Sequence, residues 1–171
     1  MTLCENITIS NVVVSFTLNS KLCRDKLKTT FPSIKYPQRF SGGVLKYVDG
    51  CLLIFDSGRI IVTGVYNIAI AFTVIDRFCN RYPSDIKYIG LKIVNIVAYS
   101  RLKNDFNYEK LIKFPQYSYE PELFPGRHVK VDDTKVIVRI FRTGRITVTG
   151  IKDHESIKKY FDLFVSIYES I

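Results

Sequence analysis

The chain carries the same ten-residue phrase twice. Phe55 to Gly64 reads FDSGRIIVTG, and 86 residues on, Phe141 to Gly150 reads FRTGRITVTG, with Phe, Gly, Arg, Ile, Val, Thr and Gly in place. A duplicated unit constrains the architecture before any single residue is interpreted, because each copy builds the same half. The correspondence extends outward. Ser10-Asn11-Val12-Val13 matches Val94-Asn95-Ile96-Val97, and Arg39-Phe40 matches Leu123-Phe124, both at a shift of 84, so a loop between differs by two residues. The junction falls near Asp85 to Tyr88, which gives repeats at 1–87 and 88–171 with no Gly/Ser linker between them.

Within each repeat the periodicities predict the elements. Alternating apolar strands open at Ile7 to Phe16 and Leu91 to Tyr99. Hairpins follow, Leu52 to Phe55 with Arg59 to Thr63 about Asp56-Ser57-Gly58, and Val136 to Phe141 with Arg145 to Thr149 about Arg142-Thr143-Gly144. A closing helix is marked by Ile157, Tyr160, Phe161, Phe164 and Tyr168 at i, i+3, i+4, i+7 and i+11, with Asp153 as its cap. Its counterpart is Ala71, Val74, Ile75, Phe78 and Tyr82. That helix is rich in β-branched residues, and the duplication supports it where propensity alone is ambiguous. Short helices are predicted at Asp25 to Thr30 and Tyr108 to Lys113, ended by Pro32 and Pro115.

Strand alternation sorts the sheet residues onto two faces. One receives Val12, Val14, Leu52, Ile54, Ile60, Val62, Val94, Ile96, Val138, Ile140, Ile146 and Val148, and belongs under the helices. The other receives Ile9, Asn11, Val13, Leu53, Phe55, Arg59, Ile61 and Thr63, then Ile93, Asn95, Val97, Arg139, Phe141, Arg145, Thr147 and Thr149. This second face contains no acidic residue. The helices are used up by the first face, so the second is expected to be open, and an open apolar sheet implies a partner.

Charge narrows the choice of partner. The 171 residues hold 25 Lys and Arg against 16 Asp and Glu, a net charge of +9, which favours a polyanion. The longest weakly polar run, Val65 to Ile75, contains Asn67 and ends at Asp76, too short to span a bilayer, so no membrane partner is expected. The N-terminus lacks the basic and apolar blocks of a secretory signal, which predicts action inside a cell. Cys4, Cys23, Cys51 and Cys79 have no metal-ligand spacing and read as reduced packing thiols. No phosphate loop, nucleophile elbow or His-Glu or Cys-His cluster occurs, so neither catalysis nor a cofactor is expected.

The minor groove at A·T pairs offers acceptors in a shallow trench, and its reader needs small apolar contacts, uncharged donors and flanking cations. The open face has that mixture. Asn11, Asn95, Thr63 and Thr149 supply donors at equivalent points, and Arg59 and Arg145 stand at strand ends where phosphates pass.

At this point the residues resemble a known family. YEPELFPG at Tyr119 to Gly126, with LLIFDSGRIIVTG and VRIFRTGRITVTG, is similar to three signatures of the TATA-box-binding protein core. The resemblance implies an α+β saddle of two pseudosymmetric repeats, a curved ten-stranded antiparallel sheet over the minor groove, and helices on the convex face. It implies that Phe40 with Phe55, and Phe124 with Phe141, are intercalating pairs, Pro125 being retained beside Phe124. Side chains that wedge between base steps and kink the duplex are a device of minor-groove binders, this family among them.

The resemblance further makes Asn11, Asn95, Thr63 and Thr149 base-edge donors, with Val13, Val97, Leu53, Ile61 and Thr147 on the groove-facing surface. It places Arg39, Lys46, Arg59, Lys130, Arg145 and Lys152 near phosphates. Glu120, Glu122 and Leu123 match the stirrup that binds transcription factor IIB. The implied function is a general initiation factor that binds and bends A/T-rich promoter DNA, recruits a factor-IIB-like protein and serves an RNA polymerase, in a nucleus or at a viral transcription site. The alternative is a scaffold of the same fold with weak or altered DNA binding. Two departures stand out. Arg139 replaces an apolar residue that the first repeat keeps as Leu53, which predicts a changed sequence preference at one end of the site. The helix Tyr66 to Asn80 has only Arg77 where the family is basic, so contact with factor IIA is not expected.

Overall fold

The computed structural model describes residues 4–83, 85–103, 106–113, 117–118, 122, 125–130 and 135–170. Two compact units result, Asn11–Val94 and the residues up to Ser10 together with those from Asn95 onward. The unit boundaries thus fall inside the long strands that open each repeat.

The first repeat runs β1 (Thr8–Leu18), α1 (Arg24–Thr30), β2 (Gly43–Tyr47), β3 (Gly50–Ile54), β4 (Arg59–Val65) and α2 (Ile68–Arg81). Its strands lie in the order β2-β3-β4-β1, each pair antiparallel. The second runs β5 (Tyr88–Arg101), a 3₁₀ helix (Tyr108–Lys113), β6 (Tyr117–Ser118), β7 (Arg127–Lys130), β8 (Ile137–Ile140), β9 (Arg145–Ile151) and α3 (Ser156–Ser170). Here the order is β5-β9-β8-β7-β6, again antiparallel throughout. The class is α+β, with α2 packed on β3 and β4 and α3 packed on β9.

Nine strands occur among the described residues where ten were implied. In the second repeat β6 pairs with β7, whereas its first-repeat counterpart is a single bridge, Lys35 to Val44. Prolines flank the segment in both repeats, Pro32 and Pro37 around Lys35 and Pro115 and Pro121 around β6, and they keep this outermost pairing short in each.

Both hairpins close in the same way. Phe55 N–H donates to the Arg59 carbonyl at 3.0 Å and Gly58 N–H to the Phe55 carbonyl at 2.9 Å; Phe141, Arg145 and Gly144 repeat this at 2.9 and 2.9 Å. Gly58 and Gly144 sit at φ +89° and +79°, the left-handed conformation that this three-residue loop needs after its turn.

The core of each unit is the predicted aliphatic face under the predicted stripe. Val12, Val14, Leu52, Ile54, Ile60 and Val62 are buried beneath Ala71, Val74, Ile75, Phe78 and Tyr82. In the other unit Ile96, Val138, Ile140, Ile146 and Val148 are buried with Ile157, Phe161, Phe164 and Tyr168. Each large side chain so buried contributes about 1.5–3 kcal/mol. Val94 departs from expectation and is only half-buried; it precedes Ile96, where the pairing of β5 with β9 begins.

Helix starts also repeat. Asn67 is extended and its Oδ1 accepts from Ile70 N–H at 2.9 Å; Asp153 Oδ1 accepts from Ser156 N–H at 2.8 Å. These caps place the helix starts at Ile68 and Ser156 rather than at Tyr66. At the other ends, the Tyr82 hydroxyl accepts from Cys23 N–H at 3.4 Å and the Tyr168 hydroxyl from Asn107 N–H at 2.8 Å, tying each long helix to the entry of the short one.

Candidate nucleic-acid interface

The face opposite the helices is open in both units. Ile9, Asn11, Val13, Leu53, Phe55, Ile61, Thr63, Ile93, Asn95, Val97, Arg139, Phe141, Thr147 and Thr149 are half-exposed, and Arg59 and Arg145 are exposed. None of these sixteen side chains is buried.

A bulge shapes the centre of each half. Between β1 and β4 the register passes from Val12↔Val65 to Val14↔Val62, so Thr63 and Gly64 together oppose Val13. Between β5 and β9 it passes from Ile96↔Ile151 to Ala98↔Val148, so Thr149 and Gly150 oppose Val97. The bulged strand needs a left-handed residue, and Gly64 at φ +76° and Gly150 at φ +95° provide it.

The bulge leaves one backbone N–H without a ladder partner, and an asparagine takes it. Asn11 Oδ1 accepts from Gly64 N–H at 2.8 Å, and Asn95 Oδ1 from Gly150 N–H at 2.7 Å. A backbone N–H can face only an acceptor, so the amide is fixed with its NH₂ outward. One N–H of that group reaches Thr63 Oγ1 at 3.3 Å, or Thr149 Oγ1 at 3.5 Å, and an amide has a second to offer.

The phenylalanine pair of the first repeat is assembled. Phe40 and Phe55 meet edge to face with ring centroids 5.5 Å apart, both half-exposed. Gly42 lies directly beneath: a Cβ there would stand 2.7 Å from the Ile54 carbonyl oxygen, 3.0 Å from the Phe40 ring and 3.2 Å from the Phe55 ring. In the second repeat Phe141 occupies the equivalent place, while Phe124, with Leu123 and Glu120, lies outside the described residues. Pro125 and Glu122 are exposed.

Cations flank the face. Arg39, Lys46, Arg59, Lys130, Arg145 and Lys152 are exposed, and none takes part in the carboxylate pairs made by Arg24, Arg77, Arg127, Arg142 and Lys158. Arg145 is steadied over the Tyr99 ring at 4.6 Å. Among the described residues no group of three or more His, Cys, Asp or Glu side chains is placed to hold a metal ion. Burial pushes the Cys4 and Cys79 thiols up to about 11, with Asp162 and Asp76 adding to it.

Three features lie outside the sequence reading. Gly42 supports the phenylalanine pair by having no side chain. Val44 and His128 share the open face, each half-exposed. Arg127 is buried at 3% exposure, where it donates to the Tyr108 carbonyl at 2.8 Å and to Glu109 at 3.1 Å and lies 4.0 Å over the Tyr108 ring. Its place in the repeat is Gly43, and that mismatch is the signal that marks it. On α2, Arg77 is held in a two-pronged pair with Asp49 at 2.7 and 2.9 Å.

Comparison with known proteins converges. A family model described as "Transcription factor TFIID (or TATA-binding protein, TBP)" matches residues 6–81 and 90–171. TATA-box-binding protein 1 of Methanosarcina acetivorans is 32% identical over 169 residues, covering 91% of this chain and 90% of its own. The TATA-box-binding protein of Pyrococcus abyssi is 32% identical over 156 residues, covering 84% and 80%. The solved structure of Methanococcus jannaschii TBP matches with a TM-score of 0.85 at 29% identity, over 98% of this chain and 100% of that one. These relatives are archaeal, and their family consists of non-enzymatic DNA-binding transcription factors. With the family model matching both repeats and relatives above 30% identity along most of its length, this chain belongs to the TATA-box-binding protein family.

Proposed function

We propose that this protein is a general transcription initiation factor that binds A/T-rich promoter DNA through the minor groove and bends it, each repeat's open face taking one half of the site. The observation that carries this reading is the pair of asparagines whose carbonyls are locked by Gly64 and Gly150 N–H, leaving donors aimed outward from an acid-free face. A·T pairs present acceptors in the minor groove, and such donors match them. Val13, Val97, Leu53 and Ile61 provide apolar contact, and Thr63, Thr149 and Thr147 hydroxyls. The flanking cations Arg39, Lys46, Arg59, Lys130, Arg145 and Lys152 meet phosphates, which position without reading sequence.

Phe40 with Phe55, and Phe141 with Phe124, act as wedges that unstack base steps, as in other minor-groove binders including this family. Glu120, Glu122 and Leu123 recruit a factor-IIB-like protein, through which the polymerase machinery is engaged. Contact with factor IIA is not expected, since of the two basic residues in α2, Arg77 is committed to Asp49 and Arg81 lies 5.5 Å over the Phe31 ring. The site of action is wherever the template is, a nucleus or a viral genome in an infected cell.

A mobility-shift titration with an A/T-rich duplex at several salt concentrations tests this. Affinity is expected to fall steeply as log[salt] rises, and removing one phosphate-facing cation to reduce that slope by about 1. A salt-independent or absent response would favour a protein-interaction scaffold instead.

A further inference from the structure

The two half-faces are alike in one row of side chains and opposite in the next. Across β2, β3 and β4 the register aligns Lys46, Cys51 and Thr63, and its counterpart across β7, β8 and β9 is Lys130, Ile137 and Thr149. Both rows run from a lysine to the bulge threonine. The next row in the first repeat is Val44, Leu53 and Ile61, entirely apolar. Its counterpart is His128, Arg139 and Thr147, capable of hydrogen bonding at every position. All six side chains are half-exposed on the open face.

In the minor groove, G·C differs from A·T by one protruding amino group on guanine, a donor. An apolar row pressed on that group strips its water and offers no acceptor, which is costly. The polar row has what is missing. Thr147 Oγ can accept from the guanine amine, while the Arg139 guanidinium donates to cytosine O2 or guanine N3. A guanidinium carries five N–H groups, so engagement with a protein neighbour leaves donors for a base.

Arginine in a minor groove often signals preference for a narrow, electronegative A-tract. That effect is weak here. Three neighbouring strands span roughly 10 Å at the usual strand spacing, against roughly 6 Å for the groove, so a groove contacted by the whole row is held open. With electrostatic focusing relaxed, direct hydrogen bonding decides.

We infer that the two repeats read different sequences: the half bearing Val44, Leu53 and Ile61 requires A·T, and the half bearing His128, Arg139 and Thr147 admits G·C. The site is thereby polar in sequence, and the protein binds it in one orientation. This rests on the minor-groove reading above.

The test measures Kd for an all-A·T duplex and for duplexes carrying a single G·C pair at each position in turn. An iron chelate attached to the exposed Cys23 of the first repeat reports by strand cleavage which half that repeat covers. G·C is expected to cost at least about tenfold under the first repeat and less than about threefold at one or more positions under the second. In Arg139→Leu with Thr147→Ile the ratio of the two penalties should approach one, a ratio being insensitive to any general loss of affinity. The reciprocal Leu53→Arg with Ile61→Thr should make the first half tolerant, so the inference stays open to refutation if one variant fails to fold. Equal penalties in both halves of the unaltered protein, or a heightened A-tract preference under the second repeat, would overturn it while leaving minor-groove binding intact. Absence of binding to every duplex would remove both.

Discussion

The Phe40 and Phe55 rings meet edge to face, their centroids 5.5 Å apart, on ground kept clear by Gly42. In Phe55→Ala the proposed wedge is lost. Gly42→Ala keeps both rings but forces them to move, since the added methyl would lie 2.7 Å from an Ile54 carbonyl that cannot swing away. Both variants are expected to bend a duplex less than the unaltered protein, measured by energy transfer between dyes at the duplex ends. Cation variants such as Arg59→Ala should weaken binding and spare the bend. An identical bend in all three would refute the wedge.

The asparagine amides separate structure from recognition. Asn95→Asp keeps an acceptor for Gly150 N–H but turns a donor into an anion facing the duplex. Its thermal midpoint should stay within about 3 °C of the original while DNA affinity falls by at least about tenfold, about 1.4 kcal/mol. Asn95→Ala should lose both, because the bulge N–H is then left without its acceptor, at about 1 kcal/mol or more. Paired melting and binding curves distinguish the two variants.

Arg127 is the buried ion among the described residues of the second repeat. Removing it in Arg127→Met deletes hydrogen bonds to the Tyr108 carbonyl and Glu109 and the stacking on Tyr108. A loss of about 2–4 kcal/mol in denaturant unfolding is expected. Arg142→Ala, two-thirds exposed and 3.8 Å from the same Glu109, should change stability by less than about 0.5 kcal/mol.

Stability should show a plateau in pH. The Asp49 carboxyl is held below its ordinary 3.8 by the Arg77 hydrogen bond, and Asp153 by Ser156. Both are depressed on folding, so their contribution is present above that ordinary value and is lost as pH falls below it. The Cys4 and Cys79 thiols are raised by burial from 9.0 to about 11. Their contribution is complete below 9.0 and is lost as pH climbs toward 11, where the unfolded chain has already ionised. Urea midpoints across pH should fall at both ends. On the folded protein at pH 8, the exposed Cys23 should react with a thiol reagent ahead of Cys4 and Cys79.

Much of this was legible from the repeat alone. Ala71, Val74, Ile75 and Phe78 are buried because a stripe at helical spacing must find the aliphatic face of the strands, and both patterns are local. The open face followed by subtraction, once two helices had been assigned to the other side. Other features depend on strand register, which periodicity does not disclose. That Asn11 binds Gly64 requires knowing that β4 carries the extra residue, and that His128 stands beside Arg139 requires the pairing of β7 with β8. Arg127 was hidden for another reason: arginine ordinarily stays at the surface, and only its ion pair and carbonyl contact make a buried site tolerable.

The twin bulges limit how far the two copies can drift apart. Leu53 and Arg139 show that corresponding strand positions are free to diverge, since each side chain faces outward and answers only to what it touches. Gly64 and Gly150 lack that latitude. Any other residue there must adopt a left-handed backbone, and at Gly150 its β-carbon would also fall 2.4 Å from the Lys135 carbonyl oxygen. Descendants of this gene can therefore specialise one repeat against the other by changing the rows, while a glycine at the bulge is favoured in both copies.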